Sequence, residues 1–283
     1  MQPTTAVEIR LLFESDIPAA MQLKEAAGWN QTEDDWLRLL MLEPNGCFGA
    51  IKDGRLVGTT TTTTYGKDLA WIGMVLVDPQ YRRQGIAARL MNVALDYLKG
   101  KVDTIKLDAT ALGQPVYEKL GFEVESIVER WSGTARSEAR HPQTRTFEDR
   151  DALLVLDQLA FNADRSKLIA SLIDSASVSP VLVRAADDAL DGYALARRGT
   201  RAEYVGPVVS RDPQQAVTLL DQVLSQLDRR SVYIDFNTEC GIGVSVLSQH
   251  GFVKERDLIR MRAGGPGAKT SSLVIAIAGP EVG

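Results

Sequence analysis

The chain has few of the residues that build covalently linked or metal-bound scaffolds. Only two of its 283 residues are cysteines, Cys47 and Cys240, and they stand far apart with no CxxC pair. This spacing argues against a disulfide framework and fits a reducing compartment. The two histidines, His141 and His250, are too few to form a histidine cluster around a metal ion. We therefore expect no metal site in this protein.

Long apolar runs and a surplus of positive charge are also missing. No apolar run reaches the ~18 residues that span a membrane, and the first residues lack the charged-then-apolar pattern of a signal peptide. The net charge of -5 gives no reason to expect nucleic acid or an anionic membrane as a partner. The composition, 45% hydrophobic and 24% charged, is that of a soluble globular protein with one large or two ordinary domains. We expect a cytoplasmic location.

The most informative stretch runs from a short apolar segment through a basic loop into a helix. Residues 74–77 are apolar and end at Asp78-Pro79, which predicts a strand and its stop. Beyond the loop, apolar residues recur at every fourth position and Gly100 follows them, which predicts a helix with a C-terminal glycine. These apolar positions are Ile86, Leu90, Ala94 and Leu98. The free N–H groups of the helix's first turn point at the loop and suit a phosphate.

The loop itself carries Arg82-x-x-Gly85-x-Ala87. Gly85 has no Cβ, so backbone can come close to a ligand, and Arg82 and Arg83 add positive charge. The Gly-Lys-Ser/Thr of a nucleotide-hydrolase P-loop and the three spaced glycines of a dinucleotide fold are both missing. The pattern resembles the pyrophosphate loop of the GCN5-related N-acetyltransferase (GNAT) family. The resemblance implies acetyl-coenzyme A (acetyl-CoA) as the cofactor, bound by Val75, Leu76, Val77, Arg82, Arg83, Gln84, Gly85, Ile86 and Ala87.

A second signature of the family follows at the spacing that the family uses. It reads Tyr117-Glu118-Lys119-Leu120-Gly121-Phe122. The resemblance implies that Tyr117 protonates the departing thiolate, and the alternative is a tyrosine packed on the sheet. Thr110 stands where many members carry asparagine, and it is expected at the cofactor together with Gly113. Asp108 is either the acceptor of the amine proton or an acidic residue satisfied at a strand end.

In this family, the first helix and the loop after it form one wall of the acceptor site. Trp29 and Gln31 lie in that loop here and are expected to contact the substrate, by stacking and by hydrogen bonding. The alternative for Trp29 is a core position. Thr32 and Asp35 predict a capping box for the next helix, with Trp36 on its buried face.

The order of elements predicts an α/β protein with a mixed sheet. Asp53-Gly54 joins two strands in a hairpin, and the threonine run over residues 59–64 extends the second of them. Residues 104–110 predict a strand parallel to the central one after a helical crossover. The family fold implies that these two parallel strands splay apart, and that the pantetheine arm of the cofactor pairs with backbone groups in the gap.

The whole pattern starts again near residue 140. The matching positions, Val77 with Val209 and Gly121 with Gly251, are 132 and 130 residues apart. We therefore predict two tandem GNAT domains, a catalytic one in residues 1–140 and a degenerate GNAT-like one in residues 141–283. The second loop carries Asp212-Pro213 and no glycine, and Leu247 stands at the place of Tyr117. We expect the second half to have lost the chemistry.

The first half has fewer strands after its second signature than the second half has. We hypothesise that the second half completes the sheet of the first and helps to shape the acceptor pocket. The predicted function is N-acetyl transfer from acetyl-CoA to a primary amine of a small molecule or peptide, by direct attack because no cysteine lies in the motifs. The alternative is a non-catalytic acyl-CoA-binding regulator. A monomer or homodimer is expected, and the acceptor amine stays open.

Overall fold

The computed structural model describes residues 6–136, 149–240, 242–265 and 271–283, and within them the chain forms twelve strands and eight α-helices. The first half forms the strands β1 (Glu8–Leu11), β2 (Cys47–Lys52), β3 (Arg55–Tyr65), β4 (Leu69–Val77), β5 (Thr104–Ala109) and β6 (Glu123–Thr134). Its helices are α1 (Ile17–Ala26), α2 (Glu33–Leu42), α3 (Ile86–Leu98) and α4 (Gln114–Lys119).

The second half repeats this alternation of helices and strands. Its strands are β7 (Val181–Arg184), β8 (Leu190–Arg197), β9 (Glu203–Ser210), β10 (Ser231–Asn237), β11 (Val253–Gly264) and β12 (Val274–Ala276). Its helices are α5 (Arg150–Phe161), α6 (Ser166–Asp174), α7 (Pro213–Gln226) and α8 (Ser245–Gln249). The predicted boundary between residues 140 and 141 lies outside the described residues.

Short sequence signals set several element boundaries, as predicted. Thr32 and Asp35 form the capping box of α2, in which the Asp35 N–H donates to Thr32 Oγ1 (3.3 Å) and the Thr32 N–H donates to Asp35 Oδ2 (2.8 Å). Asp53 and Gly54 both have positive φ, 51° and 75°, in the hairpin between β2 and β3. Trp36 is buried against the core. Local chemistry therefore decides where these elements begin and turn.

All twelve strands form one mixed sheet in the order β1-β2-β3-β4-β5-β11-β6-β10-β12-β9-β8-β7. The two halves exchange strands at its centre. β11 from the second half lies between β5 and β6, and β6 from the first half pairs with β10. The prediction that the second half completes the sheet of the first is confirmed. The exchange is reciprocal, which the sequence did not predict.

Buried ion pairs tie the exchanged strands to their neighbours. Arg130 on β6 donates from Nε and Nη2 to Asp235 on β10 (2.7 and 2.6 Å), and Arg260 on β11 donates in the same way to Asp108 on β5 (2.8 Å each). All four side chains are almost completely buried. Because loss of one partner would leave an uncompensated buried charge, each pair couples one half to the other.

Each half contains two parallel strands that pair at one end and part at the other. β4 and β5 pair over three positions, ending at Trp71 and Lys106, which confirms the predicted splay. β9 and β10 also pair over three positions, ending at Val205 and Ile234. The short strand β12 lies in the second gap and pairs antiparallel with both β9 and β10. No described strand enters the gap between β4 and β5.

The described ranges contain neither a membrane-spanning helix nor a cluster of metal-binding side chains. No helix there is long and apolar enough to cross a lipid bilayer. The same ranges contain no group of three histidine, cysteine or acidic side chains arranged to hold a metal ion.

Candidate active site

A pocket opens where β4 and β5 part. The first half supplies most of its lining: Trp29, Gln31, Ile72, Gly73, Met74, Val75, Leu107, Asp108, Thr110, Tyr117 and Arg130. The second half supplies Arg256, Leu258, Pro280 and Glu281. The empty volume, which includes the opening to solvent, is about 490 Å³. Six of the predicted site residues meet here: Trp29, Gln31, Val75, Asp108, Thr110 and Tyr117.

Strand β4 is distorted where it borders the pocket. Thr59 pairs with Leu76 and Thr61 pairs with Gly73, so two residues of β4 lie opposite one residue of β3. Met74, inside this bulge, has a φ of 50°, an uncommon conformation for a residue with a side chain. Its carbonyl oxygen accepts a hydrogen bond from Thr59 Oγ1 (2.7 Å). Because the trans peptide opposes C=O and N–H, the next N–H, that of Val75, points away from Thr59.

The basic loop lies outside the pocket, at the N-terminal end of α3. Gly85 is the N-cap residue with a φ of 77°, and no side chain caps the helix. A Cβ at Gly85 would meet no heavy atom within 4 Å, so the space above it is open. Arg82 donates from Nε to the Val77 carbonyl (3.2 Å), which ties the loop to the end of β4. The remaining predicted cofactor residues of this region, Leu76, Val77, Arg83, Gln84, Ile86 and Ala87, also lie outside the pocket lining.

Tyr117 reaches the pocket from α4. It is 9% exposed, and its ring packs edge-on against Phe122. Burial raises the pKa of Tyr117 to about 12, so its hydroxyl carries a proton at neutral pH. Gly113 lies beneath the ring: a Cβ there would come within 3.0 Å of Tyr117 Cε2. Gly113, predicted at the cofactor, therefore leaves room for the tyrosine.

Asp108 lines the pocket but is already paired. Arg260 donates to both of its carboxylate oxygens, and the Asp108 side chain is fully buried. Burial raises the pKa of Asp108, and the Arg260 guanidinium opposes that rise. This geometry favours the reading of Asp108 as an acidic residue satisfied at a strand end, with Arg260 rather than backbone as its partner.

Gln31 and Glu281 are in contact in the wall of the pocket. Gln31 Nε2 donates to Glu281 Oε2 (2.8 Å), and Glu281 Oε1 accepts from Arg197 Nη2 (2.9 Å). Gln31 Oε1 is buried and has no hydrogen-bond partner in the described part of the chain. Trp29 is half-buried, packs on the core and also lines the pocket.

The second half holds the loop of Trp29 and Gln31 in place. Asn30, between them, accepts hydrogen bonds at Oδ1 from the main-chain N–H groups of Arg201 and Ala202 (2.9 and 3.0 Å). Its Nδ2 donates to the Ala202 carbonyl (3.0 Å). The orientation of this loop therefore depends on residues about 170 positions away in sequence.

The C-terminal segment is the site component that the sequence did not predict. Trp71 Nε1 donates to the Pro280 carbonyl (2.9 Å), and the Tyr65 hydroxyl donates to the Val282 carbonyl (2.7 Å). A Cβ on Gly73 would lie 2.6 Å from the Glu281 carbonyl oxygen, so only glycine lets this segment approach β4. Gly73 was the one local signal of that contact, since a glycine inside a strand marks a close approach.

Comparisons with known proteins match both halves to the same kind of domain. The model of the acetyltransferase (GNAT) family matches residues 12–122, and an acetyltransferase (GNAT) domain model matches residues 153–274. The uncharacterized N-acetyltransferase YhbS of Escherichia coli strain K12 is 31% identical over 136 residues, 44% of this chain and 72% of its own length. The uncharacterized N-acetyltransferase YitH of Bacillus subtilis strain 168 is 29% identical over 224 residues, 76% of this chain and 77% of its own.

The fold is shared over the whole chain with a solved structure. A crystal structure of a Pyrococcus horikoshii protein matches with a TM-score of 0.80 and 22% identity, covering 100% of this chain and 99% of its own. At that identity the likeness shows the fold alone. It includes both halves, in agreement with the two matched domains.

Proposed function

Since this chain belongs to the GCN5-related N-acetyltransferase (GNAT) family of acyltransferases, we propose that it transfers an acetyl group from acetyl-CoA to a primary amine of a small molecule or peptide by direct attack. One observation carries the proposal. The Tyr117 side chain and the bulged backbone of β4 border one pocket, in a gap that no described strand fills.

The residues of the first half fit acetyl-CoA. Beyond Trp71, β4 no longer pairs with β5, so its backbone groups can pair with the amides of a pantetheine arm. The open space above Gly85 and the uncapped start of α3 suit a pyrophosphate, with Arg82 and Arg83 beside it. When bound, this cofactor supplies an activated acetyl thioester.

The Val75 N–H is our candidate for polarising the acetyl carbonyl. We choose Val75 because the bulge of β4 lies at Met74 and Val75. A preorganised N–H aimed at developing negative charge stabilises the transition state, and loss of one such donor typically costs about 10²–10³ in rate.

Tyr117 is the candidate proton donor for the thiolate. Its pKa of about 12 lies above the roughly 8.5 of a free thiol, so proton donation by itself is uphill. The attacking nitrogen must lose a proton in the same reaction. We infer that Tyr117 acts as a proton relay. Its hydroxyl proton goes to the sulfur, and its oxygen regains a proton released from the nitrogen.

Asp108 was one candidate for accepting the amine proton. Both of its oxygens already accept hydrogen bonds from Arg260, so protonation would have to compete with that pair. We assign it no proton transfer. On the acceptor side, Gln31 Oε1 can accept an N–H of the incoming amine, and Trp29 can pack against its carbon atoms.

Release of free thiol from acetyl-CoA tests the proposal against the alternative of a non-catalytic acyl-CoA-binding regulator. The purified protein is mixed with acetyl-CoA and a panel of amines: amino acids, polyamines, amino sugars and short peptides. We expect amine-dependent thiol release, and its loss in Gly85→Glu. Binding of acetyl-CoA with no thiol release above background for any amine would support the regulator.

A further inference from the structure

Arg256 is a cation in the pocket that has no partner among the described residues. It stands on β11, its Nε is buried without a hydrogen-bond partner, and it forms no ion pair within the described ranges. Arg256 as a whole is half-buried, and a buried polar atom without a hydrogen-bond partner calls for an explanation.

The other charged side chains that line the pocket are each balanced. Asp108 is paired with Arg260, Arg130 with Asp235, and Glu281 with Arg197. Arg256 is the fourth charged side chain of the lining and the only one of the four without an opposite charge bound to it in the described structure. The pocket therefore carries one surplus positive charge.

The backbone directs Arg256 toward this position. β11 has a bulge between Lys254 and Arg256 where it pairs with β6, and Arg256 and Leu258, two residues apart, line the pocket from the same face. The register places Arg256 directly opposite Arg130. Like charges directly opposite each other destabilise a sheet, so a bound anion beside Arg256 would relieve this repulsion.

We propose that the acceptor is an amine that also carries a carboxylate, as a small amino acid does, and that Arg256 binds that carboxylate. This inference rests on the proposed acetyl transfer. Within the described structure, the pocket has two groups without a hydrogen-bond partner: Arg256 Nε can donate to an anion, and Gln31 Oε1 can accept from an N–H. Gln31 is bonded to Glu281, which lies against Gly73 beside the bulge, so the amine end would face the reacting carbonyl.

The single surplus charge favours a carboxylate over a phosphate. One guanidinium balances the one negative charge of a carboxylate and matches its two oxygens in a planar fork. A phosphate monoester carries about 1.5 to 2 negative charges at neutral pH, and the described lining offers no second unpaired cation for it.

The test uses pairs of amines that differ only in the carboxylate: β-alanine with ethylamine, 4-aminobutyrate with propylamine, and lysine with cadaverine. In at least one pair, we expect kcat/KM for the amine with the carboxylate to exceed kcat/KM for the amine without it by at least about 10-fold. This is the scale of one charge-assisted contact. Arg256→Gln should remove this preference by lowering kcat/KM for the carboxylated amines, and it should change the values for ethylamine, propylamine and cadaverine less than about 3-fold.

Lys254→Gln is the matched control, since Lys254 is on the same strand but outside the pocket, and it should keep the preference. Equal use of both members of every pair by the parent, or a preference that survives Arg256→Gln, would overturn the inference and leave acetyl transfer intact.

A second measurement does not depend on turnover. Butyrate should bind the coenzyme A complex of the parent by calorimetry, and Arg256→Gln should weaken that binding at least about 10-fold. Butyrate binding that is absent from the parent, or unchanged in the variant, would contradict the carboxylate site. Arg256-dependent butyrate binding without acetylation of any amine would keep the anion site and reject the proposed reaction.

Discussion

The two halves of this protein share one framework and differ in what lies between their parallel strands. In the first half, the gap between β4 and β5 forms a pocket. In the second half, β12 occupies the corresponding gap, with Ile275 and Ala276 fully buried. A strand added there satisfies the backbone groups that a pantetheine arm would otherwise meet. We therefore infer that the GNAT framework alone does not make a cofactor site, and that the gap between the parallel strands must also be free of protein.

The starts of the two long helices, α3 and α7, also differ in how open they are to an external anion. Gly85 leaves the start of α3 uncapped, and the space above it is open. At the start of α7, Asp212 accepts a hydrogen bond from the Gln214 N–H (2.9 Å), and Pro213 has no N–H to offer. The carboxylate of Asp212 thus takes the place of an external anion.

The largest expected effect comes from separating the two halves. Residues 1–140 alone lack β11, so β5 and β6 would lose their shared neighbour and Asp108 its arginine. We expect this fragment to be insoluble or inactive, as measured by yield of soluble protein and thiol release. Co-expression with residues 141–283 should restore activity, since the cut falls in no described strand. A soluble, fully active first half would show that the exchange is dispensable.

Gly85→Glu tests the difference between the basic loop of the first half and the start of α7 in the second half. We expect titration calorimetry of the parent to give about one coenzyme A per chain, since only the first half has the open loop. The glutamate should weaken Kd by about 100-fold or more, because charge-assisted contacts of roughly 1.5–3 kcal/mol each are lost.

Two control variants separate the effect of backbone strain from the effect of the added negative charge at Gly85. Gly85→Ala shares the strain at a φ of 77° but adds no charge, so it should weaken binding less. Gln215→Glu puts the same charge in the first turn of α7, in the second half, and should leave binding unchanged. Two equivalent sites, or tight binding that survives Gly85→Glu, would mean that the wrong half has been assigned.

Tyr117→Phe tests whether the tyrosine hydroxyl distinguishes the first half from the second, which has Leu247 at the matching place. Removal of the hydroxyl should lower kcat by about 10²-fold with little change in coenzyme A binding, the usual scale for one proton-transfer group. Because burial raises the pKa to about 12, ionisation of Tyr117 should not lower the rate below that pH. A fall in rate on raising the pH to any value below about 12 therefore reports the ionisation of another group.

The matched control is Tyr97→Phe. Tyr97 donates its hydroxyl to Glu43 (2.6 Å) outside the pocket, so its loss should leave kcat within about 3-fold of the parent. If Tyr117→Phe behaves like Tyr97→Phe across the pH range, Tyr117 returns to a packing role.

The smallest expected effect is that of Gly113→Ala. The added methyl would lie 3.0 Å from the Tyr117 ring and displace it by a few tenths of an ångström, so we expect kcat to fall by about 3- to 10-fold. Gly243 lies just before Val244, the N-cap residue of α8, and the nearest atom to its Cβ position is Ser245 Oγ at 3.5 Å. Gly243→Ala should therefore leave kcat unchanged, and equal steady-state effects for both variants would remove this role for Gly113.

Local patterns were enough to predict many elements of the site. The capping box of α2, the Asp53-Gly54 turn, the strand before the basic loop and the burial of Trp36 all appear in the structure. These features depend on residues within a few positions of each other, so their chemistry is readable along the chain. The bulge at Met74 was not predicted, because a strand of apolar residues carries no mark of an added residue.

The sequence by itself determined the family, the repeat and the contrast between Gly85 and Asp212-Pro213, since each is written in neighbouring residues. Only the tertiary structure decided which strands are exchanged, what fills the second gap, and that Arg256 and Glu281 join the first pocket. The physical reason is distance along the chain. Gln31 and Glu281 are 250 residues apart, and their hydrogen bond forms only because Gly73 lets the C-terminal segment rest on β4.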